Sequence, residues 1–214
     1  MPQPFAALPR GHRTMLLAHR AMVRDLGRVQ ITAAQLADAP DTVRAAALAG
    51  YTDKLCQVIE HHHEGEDGFL WPRLRDLGAD EAALALLEAE HGELNKVLAA
   101  MHEAGSRLAA DGSAAAQLAE LTGRVREQLT AHAGDEEREL LDRFAPALSE
   151  RIWKGFEVHM RKTAPGWTLR FMPAWLLSVA DLPDERGGVP VPPLARMFSG
   201  WLERMQREAF GENY

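Results

Sequence analysis

Residues 55–70 read LCQVIEHHHEGEDGFL. Leu55, Ile59, His62, Glu66 and Leu70 follow one another at steps of three or four, and the same stripe runs back through Tyr51 to Leu48. Steps of three and four place side chains on one face of an α-helix, whereas a strand would alternate every second residue. A stripe that is apolar at both ends is a seam to be buried. This one is interrupted by a histidine and a carboxylate where the repeat asks for apolar side chains. Burying such groups is costly unless something inside pairs with them.

The rest of the chain repeats the pattern. Breaks at 35–42 (Pro40, Asp41), 72–80 (Pro72, Gly78), 110–113 (Gly112) and Pro146 predict helices over 11–36, 42–77, 81–110 and 114–145. The first seam is His12, Met15, His19, Met22, Leu26, Val29, and the third is Leu84, Leu87, His91, Leu94, Leu98, Met101. The fourth is Leu118, Leu121, Val125, Leu129, His132, Glu136, Leu140, Phe144. Strand signals are nearly absent. Short connections make neighbouring helices antiparallel, so the fold expected is all-α, an antiparallel up-down four-helix bundle over 1–146. Residues 147–214 carry Trp153, Trp167, Trp175 and Trp201 and a Pro/Gly-rich loop over 183–193. They are expected to form additional C-terminal helices packed on the bundle, adding core or a dimer surface.

Every seam contains a histidine, and two contain a carboxylate as well. His19 and His91 each lie about ten residues, roughly 15 Å, into their helices. His62 and Glu66 precede Pro72, and His132 and Glu136 precede Pro146, by distances that bring all six to one height in an antiparallel bundle. One such residue can be satisfied by backbone; six at one level need a common partner, and a metal supplies it. His62 with Glu66 and His132 with Glu136 are i, i+4 pairs that project from one helical face. Imidazoles with carboxylates able to bridge two cations favour iron, ahead of manganese or zinc. Met15, Met22 and Met101, at helical spacing, read as packing, and His61 and His102 fall off the seams.

These residues resemble the hemerythrin-like, or HHE cation-binding, family. Its pattern is His on the first helix, His-x-x-x-Glu on the second, His on the third and His-x-x-x-Glu on the fourth. The matching residues are His19, His62 and Glu66 in HHHEGEDGFLWPRL, His91 in LEAEHGEL, and His132 and Glu136 in LTAHAGDEEREL, spanning about 10–146. The resemblance implies two irons bridged by Glu66, Glu136 and a solvent-derived oxygen, with terminal histidines on either side. Oxygen-carrying members have a second histidine four residues after the third-helix one, where this chain has Asn95. A fifth imidazole would then come from His63, His61 or His12; His63 lies about 100° round from His62 and reaches the site from its edge. Asp67 and Glu137 are adjacent alternatives to Glu66 and Glu136.

The expected function is binding or processing of a small oxidant, dioxygen, peroxide or nitric oxide, with catalase-like or peroxidase-like turnover in view. The competing readings are a sensing module that signals through the C-terminal segment to a protein partner, and a structural metal without turnover. The formal charge of -7 excludes a nucleic-acid partner, which needs concentrated Lys and Arg. Cys56 is the one cysteine, which rules out an intrachain disulfide and a thiolate metal cluster. The first ten residues lack the apolar core of a signal peptide, and 171–180 is too short to span a bilayer, so a cytoplasmic location is expected.

Overall fold

The computed structural model describes residues 5–139, 144 and 148–213. Eight α-helices are described: α1 Arg10–Asp38, α2 Thr42–Gly65, α3 Trp71–Asp76, α4 Glu81–Leu108, α5 Ala114–Glu139, α6 Glu150–Thr163, α7 Thr168–Leu177 and α8 Pro192–Phe210. No strand occurs among the described residues. The architecture is an all-helical bundle. Leu140 of the fourth seam and the expected break at Pro146 lie outside the described residues.

Local chemistry sets the helix ends. Pro40 follows α1. Asp41 caps α2, its Oδ1 accepting the Val43 and Arg44 amides at 3.0 Å each. Asp80 does the same for α4 through the Ala82 amide. Gly78, at φ 79°, ends α3, and the Ala79 amide closes back on the Leu74 carbonyl. That closure requires a left-handed residue at 78, which glycine supplies without steric cost.

The segment expected as one helix over 42–77 is helical throughout but not uniformly α. Over Glu66–Leu70 the turn widens to π geometry, the Trp71 amide donating to the Glu66 carbonyl. Pro72 has no N–H to give the Gly68 carbonyl, and its ring crowds that carbonyl. A widened turn absorbs the mismatch, and such turns gather at functional sites. Here it begins on Glu66.

The chain divides into two compact units. The first comprises Met1–Ala21, His61–Glu90 and His132–Gly200, and the second Met22–Glu60, His91–Ala131 and Trp201–Tyr214. Thus α1, α2, α4 and α5 each contribute one stretch to each unit. The first unit has an apolar core of Met15, Leu70, Trp71, Leu74, Leu84 and Leu87 with Phe144, Leu148, Trp153 and Phe156. α6 supplies Trp153 and Phe156 to that core. In the second unit Leu26, Val29, Leu48, Leu55, Leu98, Leu118 and Val125 are fully buried. Its polar core centres on Asp25, whose Oδ2 accepts from the Tyr51 hydroxyl at 2.5 Å and whose Oδ1 meets Arg24 Nε at 2.7 Å. Gln206 of α8 donates to the Tyr51 oxygen at 2.9 Å. Among the described residues no helix is long and apolar enough to cross a membrane.

Candidate metal centre

Of the residues expected to ligate, His19, His62, His63, Glu66, His91, His132 and Glu136 are all buried, and Glu66 and Glu136 are wholly inaccessible. All but His63 lie on helical seams, so the fold withdraws them from water for the sake of the apolar neighbours on the same faces. In the first unit, His19, His62, Glu66 and Glu136 each offer a donor atom within 4.8 Å of the others. His63 and His132 also offer donors within 4.8 Å of each other and of Glu66. Glu66 therefore belongs to both groups. His91, on α4, is the first residue of the second unit.

The imidazole Nε2 atoms point inward. His19 Nε2 lies 2.9 Å from His62 Nε2 and 3.3 Å from Glu136 Oε2. His62 Nε2 is 3.0 Å from Glu66 Oε1, and His132 Nε2 is 3.7 Å from Glu136 Oε2. The His63 ring packs edge-on to His132, with centroids 5.3 Å apart. Two carboxylates outside the groups hold the far sides of the rings. Glu137 Oε1 accepts from His19 Nδ1, and Glu90 Oε2 accepts from His132 Nδ1, each at 2.9 Å. A carboxylate on Nδ1 fixes the tautomer, leaves the Nε2 lone pair for a cation and raises its basicity.

The electrostatics show what the cluster lacks. Burial, helped by Glu136 and Asp67, pushes the Glu66 carboxyl well above the usual range. Burial also works against charge on Glu136, but His19, His132 and His62 outweigh it and hold that carboxyl at about 2. Burial opposes a charge on His19, yet Glu136 and Glu137 raise it to about 9. Two buried carboxyls are thus balanced by retained protons, which a bound cation would displace from its ligands. Imidazoles and carboxylates with no thiolate form a donor set for a borderline-hard transition ion, so the residues fit a non-heme metal.

The alternatives separate clearly. Asp67 and Glu137 are in neither donor group; Glu137 is instead the partner of His19. His61 pairs with Thr163 Oγ1 at 2.8 Å and His102 with Asp53 at 2.9 Å, and neither histidine is in a donor group. His159, on α6, stacks on Phe69. Asn95 is exposed. His12 is buried and stacked on Trp153, outside both groups. Sequence reasoning did not find Glu90 or the Nδ1 role of Glu137. The available signal was an acidic residue next to a candidate donor in sequence, one before His91 and one after Glu136.

Fold and site together define an all-helical protein whose interior can hold a metal through histidine and glutamate. The family model described as the hemerythrin HHE cation binding domain matches residues 10–161. That is most of the chain, and the chain belongs to this family. The match runs past Pro146 and takes in most of α6. No curated protein and no solved structure matches the chain.

Proposed function

We propose that this chain is a non-heme di-iron protein that binds or turns over a small oxidant. The observation that carries the reading is the splitting of two adjacent histidines. His62 falls in the group with His19 and Glu136, while His63 falls in the group with His132, and Glu66 belongs to both. Neighbours on a helix diverge by about 100° and are badly placed for one ion, but well placed for two. His63 then supplies the imidazole that Asn95 cannot.

Iron in such a site supplies a redox centre that can bind and exchange electrons with dioxygen, peroxide or nitric oxide. The chain's own contribution is to fix the donors, through Glu137 and Glu90, and to exclude bulk water. The reading includes an up-down antiparallel arrangement of α1, α2, α4 and α5, supported by the short connections 39–41 and 109–113. It also includes a cytoplasmic location.

Elemental analysis of the purified full chain, with visible spectra before and after peroxide, tests the proposal. Two irons per chain, a spectrum that responds to peroxide, and loss of both in His132→Ala are expected. Protein grown with ample iron that binds none would sink it. Stoichiometric zinc without iron would instead favour a structural metal.

One observation favours a second reading, a sensor that signals through the C-terminal segment. α6 packs directly on the widened turn that carries Glu66: Met160 lies against Gly65, and Phe69 against Gly155. Ligand binding without turnover, coupled to altered protease sensitivity of residues 147–214, would support it.

A further inference from the structure

His12 and Trp153 present two buried polar atoms, imidazole Nε2 and indole Nε1, that meet no hydrogen-bonding group among the described residues. Each residue is about 1% exposed. Their rings stack with centroids 5.2 Å apart and planes 23° from parallel. The approach depends on Gly11, where a Cβ would come within 2.8 Å of Trp153 Cβ. Buried polar atoms are nearly always satisfied, so two orphans on one stacked pair indicate a small polar guest.

The pair is tied to the metal donors. His12 precedes His19 by seven positions, about two turns, and so shares its face of α1. Burial pushes its imidazole pKa down, against the pull of Glu136 and Glu137, which keeps the ring neutral near pH 7.

We propose that His12 and Trp153 form a binding site for hydrogen peroxide, and that peroxide is the oxidant this protein selects. The substrate assignment rests on the di-iron reading; the binding site does not. An indole N–H donates and a neutral imidazole nitrogen accepts, and peroxide offers both a lone pair and an O–H. Dioxygen and nitric oxide have no proton to donate to the imidazole and accept weakly from the indole, so neither satisfies both atoms. His12 and Trp153 act as positioning residues that select the substrate before it reaches the donors.

His12→Phe and Trp153→Phe each keep a stackable ring and remove a polar atom, while His12→Gln restores an acceptor. In the iron-loaded full chain, each Phe variant should raise the peroxide concentration for half-maximal turnover about tenfold, with kcat within about twofold. Nitric oxide binding, read in the visible spectrum, should be unchanged, and His12→Gln should recover most of the loss. Equal losses for nitric oxide and peroxide, or no change in half-saturation, would overturn the proposal. A second arm needs no iron: the Trp153 indole N–H resonance of the metal-free chain should move on titration with hydrogen peroxide, and should not in His12→Phe. A resonance that stays still means that water alone occupies the pair, and overturns it too. A wild type that binds no iron would sink the di-iron reading while this second arm still decides the pocket.

Discussion

His19 Nδ1 lies 2.9 Å from Glu137 Oε1, a carboxylate that belongs to neither donor group. Its side chain is 34% exposed, so it adds little to the core, yet it aims the Nε2 of His19 at Glu136. Removing a carboxylate that orients a ligating histidine lowers metal affinity about 10–100-fold. Glu137→Ala should therefore lose iron to a competing chelator at a concentration about 10–100-fold lower, with the Tm of the metal-free chain little changed. Glu137→Gln, which keeps an acceptor, should lie between. Unaltered chelator competition in Glu137→Ala would show that the contact is incidental.

The seams were legible because burial and periodicity are the same constraint: each apolar residue at steps of three and four fixes which polar residues must share its face. That is why His19, His62, Glu66, His132 and Glu136 could be named in advance as interior. The edge position expected for His63 follows from the same geometry, and in the structure that edge faces the second donor group. What periodicity cannot report is the far side of a ring. The Glu90 contact to His132 joins residues 42 positions apart and depends on how helices approach, not on the pattern within one. The widened turn at Glu66 was hidden for a different reason. Pro72 was visible as a break, but a proline can end a helix or swell it, and packing decides which.

Gly65 shows how closely α6 approaches that turn. Its backbone is ordinary right-handed helix, so alanine would gain about 0.5–1 kcal/mol of helix propensity if space allowed. A Cβ there would, however, fall well inside the contact distance of Met160 Sδ and 3.3 Å from Phe156. Gly65→Ala should thus destabilise the chain by about 1–3 kcal/mol, as overpacking does. In a Met160→Ala background the same change should become neutral or stabilising. Denaturant unfolding of the four proteins gives both signs, and a single Gly65→Ala that raises stability would contradict the close approach.

Arg20 Nη1 and Glu185 Oε1 meet at 2.8 Å, and the other carboxylate oxygen of Glu185 accepts the Leu182 amide at 3.0 Å. Burial works against the charge of Glu185, but the Leu182 amide and Arg20 prevail and hold its carboxyl below 4.5. A carboxyl depressed by folding contributes stability that is fully present above its unfolded value and is lost as pH falls through the folded one. Glu185→Gln should therefore be less stable than wild type at pH 7, by about 0.5–1 kcal/mol given the exposed arginine. The gap should close as pH drops below 4.5. A gap in Tm that stays constant from pH 7 to pH 3 would show that the charge of Glu185 is not what matters.

Glu66 carries the opposite sign, and metal should invert it. With its carboxyl raised by burial and by Glu136 and Asp67, the metal-free fold prefers the protonated acid. A carboxyl raised by folding makes the native state less stable above the unfolded pKa than below it, on the order of 1 kcal/mol for each pK unit. Glu66→Gln keeps the shape and an N–H donor but never has to hold a charge, so metal-free Glu66→Gln should be more stable than wild type at pH 7. The advantage should vanish as pH falls below 4.5. With iron the order should reverse, because Glu66 belongs to both donor groups and its loss removes a potential donor from each. Metal bound only to the native state adds stability that grows with its free concentration, and the variant forfeits that gain. Melting curves of both proteins with and without iron read the two signs in one experiment. A variant less stable than wild type in both conditions would mean that Glu66 is held by the fold for packing and hydrogen bonding, not kept for a cation.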